Sequence, residues 1–194
     1  MVYYSANAGD VTPDEFLVHP AASERVELVR GRICMMTPAN AAHGLVSGTI
    51  FTLLATHVRH HRLGVCFADS TGYALPNLVN TVRAPDASFV RAERLPPKGV
   101  GATFLDMAPD LAVEVLSPSE SSTDLAEKLA DYRAAGTPVV WVIDPATRTV
   151  TVISLVSPDV TLVLADTLTG GDVLPGFTCE VRELFEGLAP PINA

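Results

Sequence analysis

Apolar residues recur along this chain with two different periods, and the changes between them mark out its elements. Val46, Ile50, Leu53 and Leu54 follow three- and four-residue spacing, which predicts a long helix over residues 42–61. Residues 12–18 predict a short one: Thr12 suits the N-cap, Pro13 the first helical position, and Glu15 follows three residues after the cap. A further helix is expected over 124–135, with Ser121, Ser122 and Thr123 as its cap region and Gly136 and Pro138 as its stop. Short apolar runs at 65–68, 82–90, 111–116, 139–143, 150–155 and 160–164 read as strands, and 25–37 as two strands about a turn at Arg30-Gly31. A long connection, residues 91–109, holds Pro96, Pro97, Gly99 and Gly101, and loops of that length are often functional or mobile. A short helix over 181–186 closes the pattern. The expectation is one α/β domain over 12–186, a mixed, curved β-sheet flanked by helices, with loose tails at 1–11 and 187–194.

Composition supports a folded chain: 48% of its 194 residues are hydrophobic and 18% charged. Cys34, Cys66 and Cys179 are odd in number, far apart and form no C-x-x-C pair, so neither a disulfide framework nor a structural zinc site is expected. No basic-then-apolar leader and no uninterrupted apolar stretch of bilayer length is visible, so a cytoplasmic protein with no membrane partner is expected. The net charge of -9 argues against a general nucleic-acid binder. Its distribution softens that objection. Residues 25–105 carry nine basic and four acidic residues, whereas 106–194 carry four basic and fourteen acidic ones. A local basic surface on an acidic protein is therefore open.

The informative positions are charges inside apolar runs. Glu114 interrupts Leu111-Ala112-Val113-Glu114-Val115-Leu116. A buried carboxylate must find a cation, a proton or hydrogen-bond donors. Alternation places Asp110, Ala112 and Glu114 on one face and Val113 and Val115 on the other. The competing reading is an edge strand with Glu114 facing water. Asp86, in Arg83-Ala84-Pro85-Asp86, is expected near the end of its strand, because Pro85 has no N–H for a sheet interior; a plain turn aspartate is the alternative. Asp124, Lys128 and Tyr132 share one helix stripe at four-residue spacing, which could aim Lys128 at the carboxylates or merely form a surface pair with Asp124. Glu27, within Val26-Glu27-Leu28-Val29, reads as a further metal or water ligand or as a solvent-facing strand residue. His43 reads as a phosphate contact or proton carrier, or as a capping or surface residue. His57, Arg59, His60, His61 and Arg62 form a basic helix end that suits the macrodipole without any ligand.

Taken in order, these pieces resemble the Uma-type restriction-endonuclease family of the PD-(D/E)XK nuclease superfamily. The resemblance is carried by Glu27-Leu28-Val29-Arg30-Gly31-Arg32-Ile33, His43, Arg83-Ala84-Pro85-Asp86, the run from Pro109 to Pro118, Lys128 to Tyr132, and Trp141-Val142-Ile143-Asp144-Pro145. It implies a restriction-endonuclease-like core, often dimeric, hydrolysing DNA phosphodiesters with Mg²⁺, or Mn²⁺ in its place. On that likeness Asp86 and Glu114 would bind the metal, helped by the Val115 carbonyl and by Glu27. Lys128 would orient the attacking water or stabilise the phosphate, and Tyr132 would hold Lys128 or Glu114 by hydrogen bonding, or simply pack. The chain departs from the superfamily pattern at Leu116, where a lysine usually stands; in this family the lysine migrates to the following helix. The rival expectations are a nuclease fold kept for binding or regulation, and an interaction module in which these acids form structural salt bridges. No helix-turn-helix or zinc finger is visible.

Overall fold

Thr12 opens the first helix as the pattern requires. Its side chain accepts from the Glu15 N–H while Glu15 accepts from the Thr12 N–H at 2.9 Å, closing a capping box at the start of α1 (Pro13–Leu17). The structure, a computed structural model, describes residues 2–3, 11–36, 38–118 and 120–189, with backbone alone for residues 2, 3 and 23. Most of both expected tails lies outside those residues; within the N-terminal one, Val2–Tyr3 forms a short strand, β1.

Two sheets meet in the molecule. The first is antiparallel and five-stranded, in the order β1, β3 (Arg32–Met35), β2 (Val26–Val29), β6 (Val82–Arg83), β5 (Tyr73–Ala74). Its β2–β3 hairpin turns at Arg30 and Gly31, with φ of 48° and 76°, the left-handed pair a two-residue hairpin turn needs. The second has six strands: β11 (Val160–Leu162), β10 (Thr149–Ser154), β9 (Val139–Asp144), β8 (Leu111–Val115), β7 (Ala87–Arg91), β4 (Gly64–Ala68). β8 and β9 run parallel and the other neighbours antiparallel. The parallel pair needs a crossover, and α3 (Ser122–Ala135) supplies it. Ser121 caps α3 and Gly136, at φ 85°, ends it. A hairpin of β12 (Thr167–Thr169) and β13 (Thr178–Glu180) leads into a 3₁₀ turn, Val181–Phe185, where a short helix was expected.

The long helix α2 (Ala41–His61) covers one face of the six-stranded sheet and α3 the other. Val46, Ile50, Leu54 and Val58 of α2 are fully buried with Phe89, Leu111, Val113, Trp141 and Ile143. Truncating one of them, as in Leu54→Ala, removes core volume worth about 2–5 kcal/mol. By length and apolarity α2 could cross a membrane, but His43, Ser47 and His57 interrupt it and its apolar stripe lies in this core. On the opposite face Ala112, Val140 and Val142 pack against Tyr132 and Ala135 of α3.

One expectation is corrected. Residues 82–90 are not one strand. β6 pairs with β2 and β5, whereas β7 pairs with β4 and β8, so the chain passes from one sheet to the other across Ala84-Pro85-Asp86. Pro85 offers no donor to either ladder, and its ring favours an extended Ala84, so pairing stops there. β5, β12 and β13 were not foreseen, because two or three residues are too few to show a period.

Candidate active site

Glu114 lies on β8, a strand paired on both sides, and is 2% exposed, so the edge-strand reading does not hold. Alternation turns it to the α3 face. There Lys128 Nζ donates to Oε2 at 3.1 Å and the Tyr132 hydroxyl donates to Oε1 at 2.7 Å. The helix stripe read from the sequence thus points at the carboxylate. Lys128 is itself buried and also meets Glu120 at 3.2 Å. Burial pushes the Glu114 carboxyl up to about 7; Lys128 pulls it back, and the negative charges of Asp86 and Glu27 add to the rise. Burial works against a charged Lys128, yet Glu114, Glu27 and Glu120 hold its proton more firmly than usual. Burial, with the Glu114 charge beside it, raises the Tyr132 hydroxyl well above its ordinary value.

Asp86 sits where the chain leaves the first sheet and enters the second. Its Oδ2 accepts from the Val115 N–H at 2.8 Å, which ties it to the residue next to Glu114. His43 Nε2 lies 3.2 Å from the same oxygen, and Arg25 lies 3.6 Å from Oδ1. His43 comes from the first turn of α2, where Asn40 is the cap; its Nδ1 lies 3.3 Å from the Ser47 hydroxyl. Asp86, Glu114, Lys128, Tyr132, His43 and the Val115 backbone are therefore brought together from the crossing before β7 and from β8, α2 and α3.

Glu27 is buried, not solvent-facing. Its Oε2 accepts from Arg83 at 2.8 Å and its Oε1 from the Ala84 N–H at 3.0 Å. Arg83, fully buried, also donates from Nε and Nη2 to Asp131 Oδ2. Arg30 reaches Asp131 at 2.8 Å and Glu127 at 2.5 Å. Burial alone would raise the Glu27 carboxyl; the charges of Lys128 and Arg83 and the donors from Ala84 and Arg83 bring it below its ordinary value. This cluster joins β2, β6 and α3, the elements on either side of Asp86 and Lys128. Sequence reasoning missed Arg83, Asp131, Glu120 and Arg25. Arg83 carried the signal used for Glu114, a charge beside the apolar Val82 in a strand, and Asp131 lies three residues after Lys128 on α3.

Asp86 and Glu114 present hard oxygen donors, the set magnesium takes; each Glu114 oxygen has a second lone pair beyond its present donor, and Asp86 Oδ1 has only Arg25 at 3.6 Å. Among the described residues no three His, Cys, Asp or Glu side chains gather as a ligand set. A cation here would rest on the two carboxylates and complete its shell with water, which magnesium tolerates.

A carboxylate on a central strand, a second at the break between two sheets and a helix-borne lysine, all on a mixed sheet flanked by helices, define a restriction-endonuclease-like α/β protein. The chain belongs to the Uma2 family, described as "Putative restriction endonuclease", whose model matches residues 13–182. Its structure is similar to one from Anabaena variabilis described as "a putative nuclease belonging to DUF820", with a TM-score of 0.79 and 22% identity, covering 90% of this chain and 97% of that one. At that identity the likeness shows the fold. No curated protein matches the chain.

Proposed function

We propose that the protein is a magnesium-dependent endonuclease that hydrolyses DNA phosphodiester bonds at Asp86, Glu114 and Lys128. The observation that carries this reading is Glu114: a carboxylate on an interior strand, joined to Lys128 from α3 and placed beside Asp86, whose burial raises its proton affinity. Buried charge without full compensation is costly in a merely structural role and suits a group awaiting a cation. Asp86 and Glu114 would hold the metal. When bound, it would lower the pKa of a water and offset charge on the phosphate. Lys128 is positioned to donate to a phosphate oxygen or to the attacking water. Tyr132 fixes the Glu114 oxygen opposite Lys128, and His43 and the Val115 N–H fix Asp86. Glu27 acts at one remove, anchoring Arg83 and the Ala84 N–H and so the turn that carries Asp86.

The test combines cutting with metal binding. Labelled oligonucleotides incubated with Mg²⁺ or Mn²⁺ should be cleaved by the native chain and not by Asp86→Asn, Glu114→Gln or Lys128→Met. Magnesium at a hundred times its Kd should stabilise the native fold by about 2.7 kcal/mol in thermal melts and leave Asp86→Asn unmoved. Cleavage that persists in both carboxylate variants sinks the proposal. Both oxygens of Glu114 already accept hydrogen bonds, which favours a second reading, a nuclease fold kept for binding. Metal-independent DNA retention with no cutting would establish it.

A further inference from the structure

A groove of about 150 Å³ opens between α1, the segment entering β2 and the loop that carries Phe104, and nothing in the proposed chemistry uses it. Ala84, two residues before Asp86, and Arg25 both line it. Its walls are apolar: Phe16, Phe104 and Met36. Phe104 stacks on Phe16 with ring centroids 5.5 Å apart, and it lies against Gly72 so closely that a Cβ there would come within 2.4 Å of its ring. Phe16 thus takes one face of Phe104 and Gly72 abuts its Cδ1–Cε1 edge, which fixes the ring. Arg25 is about one-third exposed, and its one ion pair among the described residues, 3.6 Å to Asp86, does not use up the five donors of a guanidinium. Glu24, exposed on the same rim, is the one acid among the lining residues.

We propose that this groove holds one unpaired nucleotide of a DNA strand next to the bond to be cut, its base against Phe104 and its phosphate on Arg25, so that the substrate is single-stranded DNA at the site. The inference rests on the nuclease reading and narrows its substrate. Aromatic walls receive bases by stacking, which every base offers, and a cation at the mouth receives the backbone. The contiguity matters most: Arg25 touches both the groove and Asp86, so a phosphate on Arg25 lies one step from the carboxylates. A base paired and stacked in a duplex has neither face free, so only an unpaired or extruded base can enter a recess of this size.

The test uses the full chain without divalent metal, so that binding is read apart from cutting. A fluorescent single-stranded oligodeoxynucleotide should bind at least about tenfold more tightly than its duplex, and Phe104→Ala should remove about tenfold of that affinity, the size expected for one lost stack. Phe104→Tyr, which keeps the ring, should restore it, and melting curves show whether either variant still folds. Arg25→Gln should reduce the salt slope of log Kd by about 0.7, one phosphate's share on a single strand. Equal or tighter duplex binding overturns the proposal, as does tighter binding of RNA of the same sequence or a Phe104→Ala chain that folds and binds as before. Cleavage run in parallel with magnesium separates the two readings. A chain that cuts duplex and ignores single strands loses the groove and keeps the nuclease; one that binds single strands through Phe104 and cuts nothing does the reverse.

Discussion

Two groups of buried acids meet α3 one turn apart, at Asp131 and at Lys128, and they are treated in opposite ways. Glu27 and Asp131 surround Arg83, which gives them three donors, while Arg30 adds a fourth contact. Glu114 has one buried cation, Lys128, which Glu120 also claims, and Asp86 has a partly exposed Arg25 at longer range beside His43 and the Val115 N–H. The outcome is visible in their proton affinities: Glu27 falls below the ordinary carboxylate value, whereas burial carries Glu114 above it. Buried carboxylates of one type thus divide into compensated and under-compensated, and the second class is where a cation or substrate belongs.

The sharpest way to break this comparison is to remove the central cation of the compensated group. Arg83→Leu leaves Glu27 and Asp131 buried and unpaired and should cost about 3–5 kcal/mol in urea unfolding, more than any substitution at Asp86 or Glu114. A loss under 1 kcal/mol would show that the cluster is not a structural clamp. Next comes Glu114→Gln, which keeps the shape and removes the charge. Cleavage should fall by about 10²–10³-fold, of the order seen when one polar group is taken from a preorganised site, while the melting temperature near pH 8 stays the same or rises.

The same variant tests the pH dependence. Glu114 titrates near 7 in the folded chain against an ordinary 4.5, so between those values the folded state binds more protons than the unfolded. Its contribution is therefore most favourable below about 4.5 and declines as pH rises to about 7. The stability of Glu114→Gln relative to the native chain should grow over that window. Glu27 has the opposite sign: its contribution is present above its ordinary value and is lost as acid protonates it, so Glu27→Gln should lose most near neutrality and least in acid. Smallest of all is Glu127→Gln, which breaks a half-exposed pair with Arg30 and should change stability by less than about 1 kcal/mol.

Much of the site was legible because its residues break a local pattern. A glutamate in an apolar strand and a lysine and tyrosine on one helix stripe are signals within a few residues, and Glu114, Lys128 and Tyr132 meet as those signals suggest. The helices were legible for the same reason, through periodicity and caps. What escaped was long-range. Arg83 and Asp131 are 48 residues apart, and no local period links them. The break at Pro85 was half visible, since proline argued for a strand end, but only the pairing of β6 and β7 with different partners shows that the end is a change of sheet.

That change of sheet governs when the site can exist during the life of the chain. Asp86 stands on the crossing, Glu27 and Arg83 before it in one sheet, Glu114 after it in the other, and Lys128 on a helix made later still. A chain emerging from the ribosome, or one caught half-folded, can complete the first sheet, whose strands all precede Asp86, without bringing Asp86 to Glu114 and Lys128. The proposed site therefore needs the first sheet, the second sheet and the α3 crossover together, and a fragment that lacks one of them carries part of the residue set without its arrangement.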